Sequence, residues 1–165
     1  WLLFLLGWHH DIQDYVVTEL QSIFGDSKRP LKMADLSEMK YLECCIKEAL
    51  RLYPSVPIMA RKLEEDVMLD SHIFPAGSTV MIVTYMLHRD GDVFPNPEKF
   101  DPERFMPNNC RGRHPYSYIP FSAGPRNCVG QKFAILEIKA IVSTILRQYK
   151  ISSVDRRENL SLLGE

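Results

Sequence analysis

The chain has 165 residues, enough for one domain that buries about two-thirds of the surface of the unfolded chain. Its 20 Lys and Arg residues balance 21 Asp and Glu residues, and this net charge of -1 argues against a nucleic-acid-binding protein, which would need a basic excess. Among the cysteines, Cys44 and Cys45 are adjacent and Cys110 lies in a predicted loop, so no disulfide framework is indicated and a reducing compartment is favoured.

The chain begins with an apolar run, Trp1-Leu2-Leu3-Phe4-Leu5-Leu6, that stops at Gly7. A membrane-spanning helix needs about 20 apolar residues, so this run is neither a membrane anchor nor a signal peptide. The chain also lacks an initiator Met and ends at Gly164-Glu165. We therefore interpret it as a fragment that is cut at both ends.

Helical periodicity predicts two helices in the first third of the chain. The first has Asp11 placed as a cap and Gly25 as a stop, and it is followed by a charged turn with Pro30 and a short helical turn over 35–39. The second helix is ended by Pro54. The apolar positions are Ile12, Tyr15, Val16, Leu20, Ile23 and Phe24 in the first helix, and Leu42, Cys45, Ile46, Ala49, Leu50 and Tyr53 in the second.

A β-like region follows over residues 67–83. Three strands are predicted, at Val67–Leu69, His72–Phe74 and Thr79–Val83, separated by turns at 70–71 and 75–77. This pattern predicts a small antiparallel sheet. Residues 85–90 are compatible with one further helical turn.

Prolines dominate residues 94–121 and exclude a regular helix or a central strand there. Disorder is the alternative, but five aromatic residues favour an ordered, packed coil. A long helix is predicted after Cys128, from the apolar positions Ala134, Ile138, Ile141, Val142, Ile145 and Tyr149. The predicted fold class is therefore mainly α with a small antiparallel β part.

Cys128, directly before the last predicted helix, is the strongest candidate for a reactive site. A helix N-terminus carries unpaired N–H groups and about half a positive charge, which favour thiolate, the form that binds metal. Gly124 and Gly130 allow a sharp turn and the close approach of a large flat group, against which Phe121 can pack. Two alternatives are a buried, inert cysteine and a hydrolase nucleophile. For the second, no pattern pairs the sulfur with any of the histidines, His9, His10, His72, His88 and His114.

Residues 121–130 read Phe-x-x-Gly-x-Arg-x-Cys-x-Gly, and this spacing resembles the haem-ligand loop of the cytochrome P450 monooxygenases at all five fixed positions. The resemblance implies haem b as the cofactor, with Cys128 as the axial ligand of its iron and Arg126 as the partner of a haem propionate. It places Phe121, Gly124 and Gly130 in the same cofactor-binding loop. Thiolate ligation favours O–O cleavage in such enzymes.

The resemblance also implies a structural triad. Glu48 and Arg51 stand three residues apart on one predicted helix, which alone is typical of a solvated surface pair. They match the family's Glu-x-x-Arg helix, and residues 102–105, Pro-Glu-Arg-Phe, match its later arginine motif. In the family these groups form a buried triad, so Glu48, Arg51 and Arg104 are expected to hold the coil and the cysteine loop in place.

The prolines after the second helix force an extended path whose apolar residues have no helical partner face. The resemblance implies that this path lines the substrate pocket, and the alternative is ordinary core packing. Arg61 is implied as a second propionate ligand. The expected pocket residues are Val56, Pro57 and Ile58. Residues 88–90, His-Arg-Asp, also fit the family pattern, and we assign them only local hydrogen bonding.

Basic residues bracket the cysteine loop in the sequence. They indicate either a solvated face or a docking surface for an acidic electron donor. They are Arg111, Arg113, Arg126, Lys132, Lys139 and Arg147. The resemblance implies NADPH-cytochrome P450 reductase as the donor, with cytochrome b5 as a second candidate, and no nucleic acid.

Residues 41–44, 88–90 and 120–128 look most like the animal branch that contains fatty-acid ω-hydroxylases. This likeness implies O2 and a hydrophobic substrate such as a fatty acid, and the cytosolic face of the endoplasmic reticulum membrane through an N-terminal anchor outside this chain. Residues 1–165 would be one partial domain, from the end of the central helix to the final long helix. The family's acid–alcohol pair for proton delivery is missing, so the fragment alone is expected to be inactive. The alternative is a non-catalytic truncated product that at most binds haem.

Overall fold

The computed structural model describes residues 1–155, 159 and 160, and these form two compact units. The first unit comprises Trp1–Ala49, Phe100–Cys110 and the described residues from 130 onward. The second comprises Leu50–Lys99 and Arg111–Val129. Helices dominate, and the β structure is a minor antiparallel part. The predicted fold class is therefore confirmed.

The first unit is helical. Its elements are α1 (Leu2–Trp8), α2 (His10–Phe24), α3 (Met33–Glu38), the greater part of α4 (Lys40–Leu52), and α6 (Gln131–Leu146). Their apolar faces form its core, which includes Leu6, Val16, Leu20, Leu42, Ile46 and Val142. None of the helices in the described part of the chain is long and apolar enough to cross a membrane.

The first predicted helix is α2, and it ends at Gly25, as predicted, with a positive φ of 54°. The prediction that Asp11 caps it is wrong, because Asp11 lies inside the first turn and His9 occupies the cap position. Helix α1 continues to Trp8 and α2 begins at His10, so His9 is the one non-helical residue between them and takes the cap position. The predicted short helical turn is α3, and α4 ends two residues before Pro54.

Several hydrogen bonds tie the start of the chain to residues after α6 in the first unit. Gly7 accepts a hydrogen bond from the Ser153 N–H at 3.1 Å, and a Cβ on Gly7 would lie only 2.7 Å from the Ser153 nitrogen. The buried amide of Gln13 donates to the carbonyl oxygens of Leu6 (2.8 Å) and Ile151 (2.9 Å), and accepts from the Ile151 N–H. The close approach of Ser153 requires glycine at position 7, because a Cβ there would collide with the Ser153 backbone.

The second unit contains two antiparallel strand pairs, β1 (Ile58–Lys62) with β4 (Thr79–Val83), and β2 (Val67–Leu69) with β3 (His72–Phe74). The bounds predicted for the last three strands are confirmed. Strand β1 was not predicted, because two prolines precede it and its partner β4 lies far along the sequence. The helix α5 (Thr84–Leu87) follows β4 and begins one residue before the predicted turn.

The proline-rich coil is ordered, as predicted. It contains short 3-10 turns at Pro102–Phe105 and Pro115–Ser117, each with a proline in its first turn. Phe94 is buried in the second unit, and Phe100 and Phe105 are buried in the first, whereas Tyr116 is 58% exposed. The final long helix is confirmed as α6, which ends three residues before Tyr149.

Candidate functional site

The cysteine loop in the second unit is closed by its own backbone. The Ser122 N–H donates to the Ile119 carbonyl oxygen at 3.0 Å, and the Cys128 N–H donates to the Phe121 carbonyl oxygen at 2.9 Å. Ser122 and Gly124 both have positive φ, 64° and 77°, which reverses the chain twice within three residues. This backbone leaves the Cys128 side chain exposed.

Exposure separates Cys128 from the other three cysteines. Burial raises the pKa of Cys44 to about 11 and raises that of Cys45 well above its usual value, so both are thiols at neutral pH. Cys110 is half-buried, and its sulfur lies 3.5 Å from the Arg104 carbonyl oxygen. A buried, inert cysteine is therefore excluded for Cys128. Within residues 1–155, 159 and 160, no hydrogen bond joins a histidine to Cys128, so the nucleophile alternative gains no support.

A metal at this loop would depend on one protein ligand. The described part of the chain brings no three His, Cys, Asp or Glu side chains close enough to hold a metal ion. A single exposed sulfur on a closed loop suits a metal whose remaining ligands come from a prosthetic group, as in a haem.

Arg61 reaches this loop from β1. Its Nη2 donates to the Ser122 hydroxyl oxygen at 3.0 Å, and its Nη1 donates to the Ala60 carbonyl oxygen at 2.8 Å. Arg126 lies inside the loop, in the 3-10 turn Gly124–Arg126, and is exposed. Both cations are therefore within the second unit, on or against the loop that carries Cys128. Gly130, the last member of the predicted set, is the N-cap of α6.

The apolar residues at positions 56–58, where β1 begins, are exposed, so they do not pack in the core of their unit. Val56 is 52% and Ile58 50% exposed, and Pro57 is exposed as well. Two hydrogen bonds hold this stretch in place: Thr84 Oγ1 donates to the Val56 carbonyl oxygen at 2.9 Å, and the Tyr85 N–H donates to that of Pro57 at 3.1 Å. The result is a fixed apolar surface that nothing in the second unit covers.

Glu48 is completely buried in the first unit. Its Oε1 lies 3.4 Å from Arg104 Nε and accepts a hydrogen bond from the Asp101 N–H at 3.0 Å. The carboxylate thus fixes both the side chain of the 3-10 turn Pro102–Phe105 and the backbone where that turn begins. A solvated surface charge is excluded for this residue.

Arg51, one turn further along α4, is completely buried in the second unit. Its guanidinium donates to the carbonyl oxygens of His88 at 2.9 Å and Lys99 at 3.2 Å, and it lies 5.3 Å from the centre of the Phe94 ring. Arg51 therefore binds the two ends of residues 88–99. The contacts of Glu48 and of Arg51 are each those expected of groups that hold the coil.

The basic residues do not all lie on the surface. Arg111, Arg126 and Lys132 are exposed. Arg113 lies 4.7 Å from the centre of the Phe94 ring. Arg147 lies 3.8 Å from the Phe24 ring centre and donates to the Ser27 carbonyl oxygen at 2.8 Å.

Lys139 is the clear correction, because it is only 3% exposed and cannot be a docking residue. Its ammonium donates to the Leu36 carbonyl oxygen at 2.9 Å and to Glu43 at 2.6 Å. Burial opposes the charge of Glu43, but hydrogen bonds from Lys139 and Lys47 outweigh it and lower the pKa of this carboxyl group. A sequence signal existed, since Lys139 shares a helical face with the buried residues Val142, Ser143 and Leu146.

His88 is a buried residue of this region whose importance the sequence pattern does not reveal. Its Nε2 accepts a hydrogen bond from the Ile119 N–H at 2.9 Å, and its ring lies 5.1 Å from that of Tyr118. Burial, followed by the positive charge of Arg51, lowers the pKa of His88 to about 4. No local pattern could have revealed this contact, because its partner lies 31 residues further along the chain.

The sequence matches the family model described as Cytochrome P450 over residues 1–163. It is 63% identical over 166 residues to Cytochrome P450 4c3 of Drosophila melanogaster, which covers 100% of this chain and 31% of that protein. It is 53% identical over 165 residues to Cytochrome P450 4V2 of Homo sapiens, covering 100% and 31%. With Cytochrome P450 4c21 of Blattella germanica the identity is 48% over 159 residues, covering 96% and 32%.

The chain thus spans about a third of the length of these relatives. The match includes the Cys128 loop, the helix of Glu48 and Arg51, and the coil that holds Arg104. The chain belongs to the cytochrome P450 family.

Proposed function

We propose that the complete protein is a haem-thiolate monooxygenase, and that this chain supplies the thiolate ligand and part of the substrate pocket. The observation that carries the proposal is the exposed Cys128 on a closed loop of matching sequence, in a chain of this family. Residues 1–165 are then part of one larger catalytic domain.

The residues present fit a haem b group. The second unit offers one exposed sulfur, two cations at the loop, and a fixed apolar surface where β1 begins. Gly124 has a positive φ, and no atom lies within 4 Å of the place that a Cβ would occupy, so the loop can meet a flat group closely. Cys128 would hold the iron, and Arg61 and Arg126 would pair with the propionates.

When bound, the haem supplies the iron chemistry that activates O2 with electrons from a donor. The residues of this chain bind the haem, orient the substrate and exclude water from the site. Cys128 donates electron density through its sulfur. Val56, Pro57 and Ile58 present an apolar wall that excludes water and orients a hydrophobic substrate. Glu48, Arg51 and Arg104 keep the coil ordered, and they act on the site only through it.

We infer that the substrate is a fatty acid or a related lipid, that the electron donor is NADPH-cytochrome P450 reductase with cytochrome b5 as a second donor, and that the protein works at the cytosolic face of the endoplasmic reticulum membrane. The likeness to the fatty-acid ω-hydroxylase branch and the exposed apolar wall support a fatty acid as the substrate.

The complete protein with reductase and NADPH should hydroxylate a long-chain fatty acid, as followed by mass spectrometry. The variant Cys128→Ser is the control. No product above that control would favour a non-catalytic, haem-binding protein.

Charge reversal of the exposed Lys132 should weaken the encounter with the reductase. Lys132 lies in the first turn of α6, four residues after Cys128 in the chain. Lys132→Glu should raise the apparent KM for reductase about two- to fivefold at low ionic strength, the size of one exposed ion pair. The difference should vanish at high salt, because screening removes such attractions.

The matched control is Lys28→Glu, which reverses another exposed lysine of the first unit. Steady-state turnover at varied reductase concentration measures both variants. Equal KM values for Lys132→Glu and the wild type at low salt would show that these basic residues are a solvated face.

A further inference from the structure

The buried side chain of His88 is joined to the cysteine loop by a series of hydrogen bonds within the second unit. The Ile119 N–H donates to His88 Nε2 at 2.9 Å, and the Ile119 carbonyl oxygen accepts from the Ser122 N–H at 3.0 Å. Ser122 is where the backbone first turns to positive φ. The Phe121 carbonyl oxygen, in the residue just before this turn, accepts the N–H of Cys128 at 2.9 Å.

The contact with Ile119 determines the protonation of the ring. Because Nε2 accepts a hydrogen bond, it carries no proton, and a neutral ring then has its proton on Nδ1. The guanidinium groups of Arg51 and Arg89 both disfavour a positive charge on the ring. Nδ1 itself makes no hydrogen bond with any residue in the described ranges 1–155 and 159–160. The hydrogen bond of Nε2 with the Ile119 N–H is the ring contact that leads to the loop.

The backbone at His88 is held by Arg51. The carbonyl oxygen of His88 accepts a hydrogen bond from Arg51 Nη1 at 2.9 Å, and both residues are completely buried. A displaced Ile119 would have to give up a buried acceptor, which costs more than a solvent-exposed hydrogen bond does. His88 thus links a buried arginine to the segment that enters the loop.

We propose that His88 is a positioning residue for the Cys128 thiolate: by accepting the Ile119 N–H it holds the turn at Ser122 in the one geometry that presents the sulfur to the haem iron. This rests on the proposed function, since haem ligation by Cys128 is what the positioning serves. His88 touches neither the haem nor the substrate in this role.

The test uses the reduced, CO-bound form of the complete holoprotein, whose Soret band is strongly red-shifted only when thiolate is bound to the iron. His88→Phe keeps a flat ring but has no acceptor. It should retain bound haem and raise the ratio of non-thiolate to thiolate signal about tenfold over the wild type, as expected for the loss of one buried acceptor. His88→Gln can place its Oε1 near the position of Nε2 and should stay within about twofold of the wild type, because its side chain still accepts the N–H.

Two further variants make the test independent of how well the phenylalanine variant folds. His88→Asn carries the same amide on a shorter side chain that falls short of Ile119, so it should lose the thiolate signal while His88→Gln keeps it. Asp66→Ala removes another side-chain acceptor of a backbone N–H in the second unit, that of Ala76 at 2.7 Å, and should leave the thiolate fraction unchanged.

Equal thiolate fractions in the Gln and Asn variants, or a wild-type spectrum for His88→Phe, would overturn the positioning role while leaving haem-thiolate ligation intact. A wild-type protein that binds haem without any red-shifted band would instead overturn the proposed function. The two failures are therefore distinguishable in one set of spectra.

Discussion

Replacing Cys128 by histidine in the complete protein should abolish the strongly red-shifted Soret band of the reduced, CO-bound haem. The shift arises because a thiolate bound opposite CO pushes electron density onto the iron, which a neutral imidazole does not do. Among the cysteines within the described residues, Cys44 and Cys45 are buried, Cys110 is half-buried and Cys128 is exposed, so we expect no other sulfur of this chain to replace it.

The matched control is Cys110→Ser, which changes a half-buried cysteine whose sulfur contacts the Arg104 carbonyl oxygen. A serine hydroxyl can keep that contact, so the red-shifted band should be unchanged. A red-shifted band that survived in Cys128→His would show that the ligand had been assigned to the wrong residue.

Truncating Glu48 to alanine should have the second large effect, a loss of about 3 to 5 kcal/mol in the free energy of unfolding, because it leaves the Arg104 charge buried without its carboxylate. The Asp101 N–H would lose its acceptor at the same time. Since the net free energy of unfolding of a native protein is only about 5 to 15 kcal/mol, we expect little soluble protein and little bound haem for this variant. Urea unfolding and the haem-to-protein absorbance ratio measure both effects.

Two variants show whether the loss of stability in Glu48→Ala comes from the lost charge and whether it is specific to this position. Glu48→Gln keeps an oxygen for the Asp101 N–H but loses the charge, so its stability should lie between those of the wild type and Glu48→Ala. Glu38→Ala removes an exposed carboxylate, 64% accessible and 4.0 Å from Lys40, and should cost less than about 1 kcal/mol. Similar losses for Glu38→Ala and Glu48→Ala would contradict a structural role specific to Glu48.

Local patterns predicted much of this fold. The hairpin of β2 and β3 and the stops at Gly25 and Pro54 depend on neighbouring residues only, and the structure has them where the sequence places them. Strand β1 was missed because its identity as a strand depends on pairing with β4, from Ile58 opposite Val83 to Lys62 opposite Thr79. Such pairing is invisible in a local window that begins with two prolines.

The candidate site was likewise predictable only where a local sequence pattern defines it. The loop motif alone makes Cys128 a candidate, and the structure adds that its side chain is exposed. Burial of single polar side chains was not predictable in the same way. The charge pattern predicts a surface cation at Lys139, although its helical neighbours are buried, and the role of His88 depends on an amide far along the chain.

The bonds that join α1 to the residues after α6 also bear on how the protein is made. Ser153 Oγ donates to the Phe4 carbonyl oxygen across a sequence separation of 149 residues. A ribosome adds about 5 to 20 residues per second, so α1 waits roughly 7 to 30 seconds for this partner to be synthesised. During that time the carbonyl oxygens of Phe4 and Gly7 lack the Ser153 donors that they have in the finished fold. The nascent chain should therefore depend on chaperones at α1 until these later residues have been made.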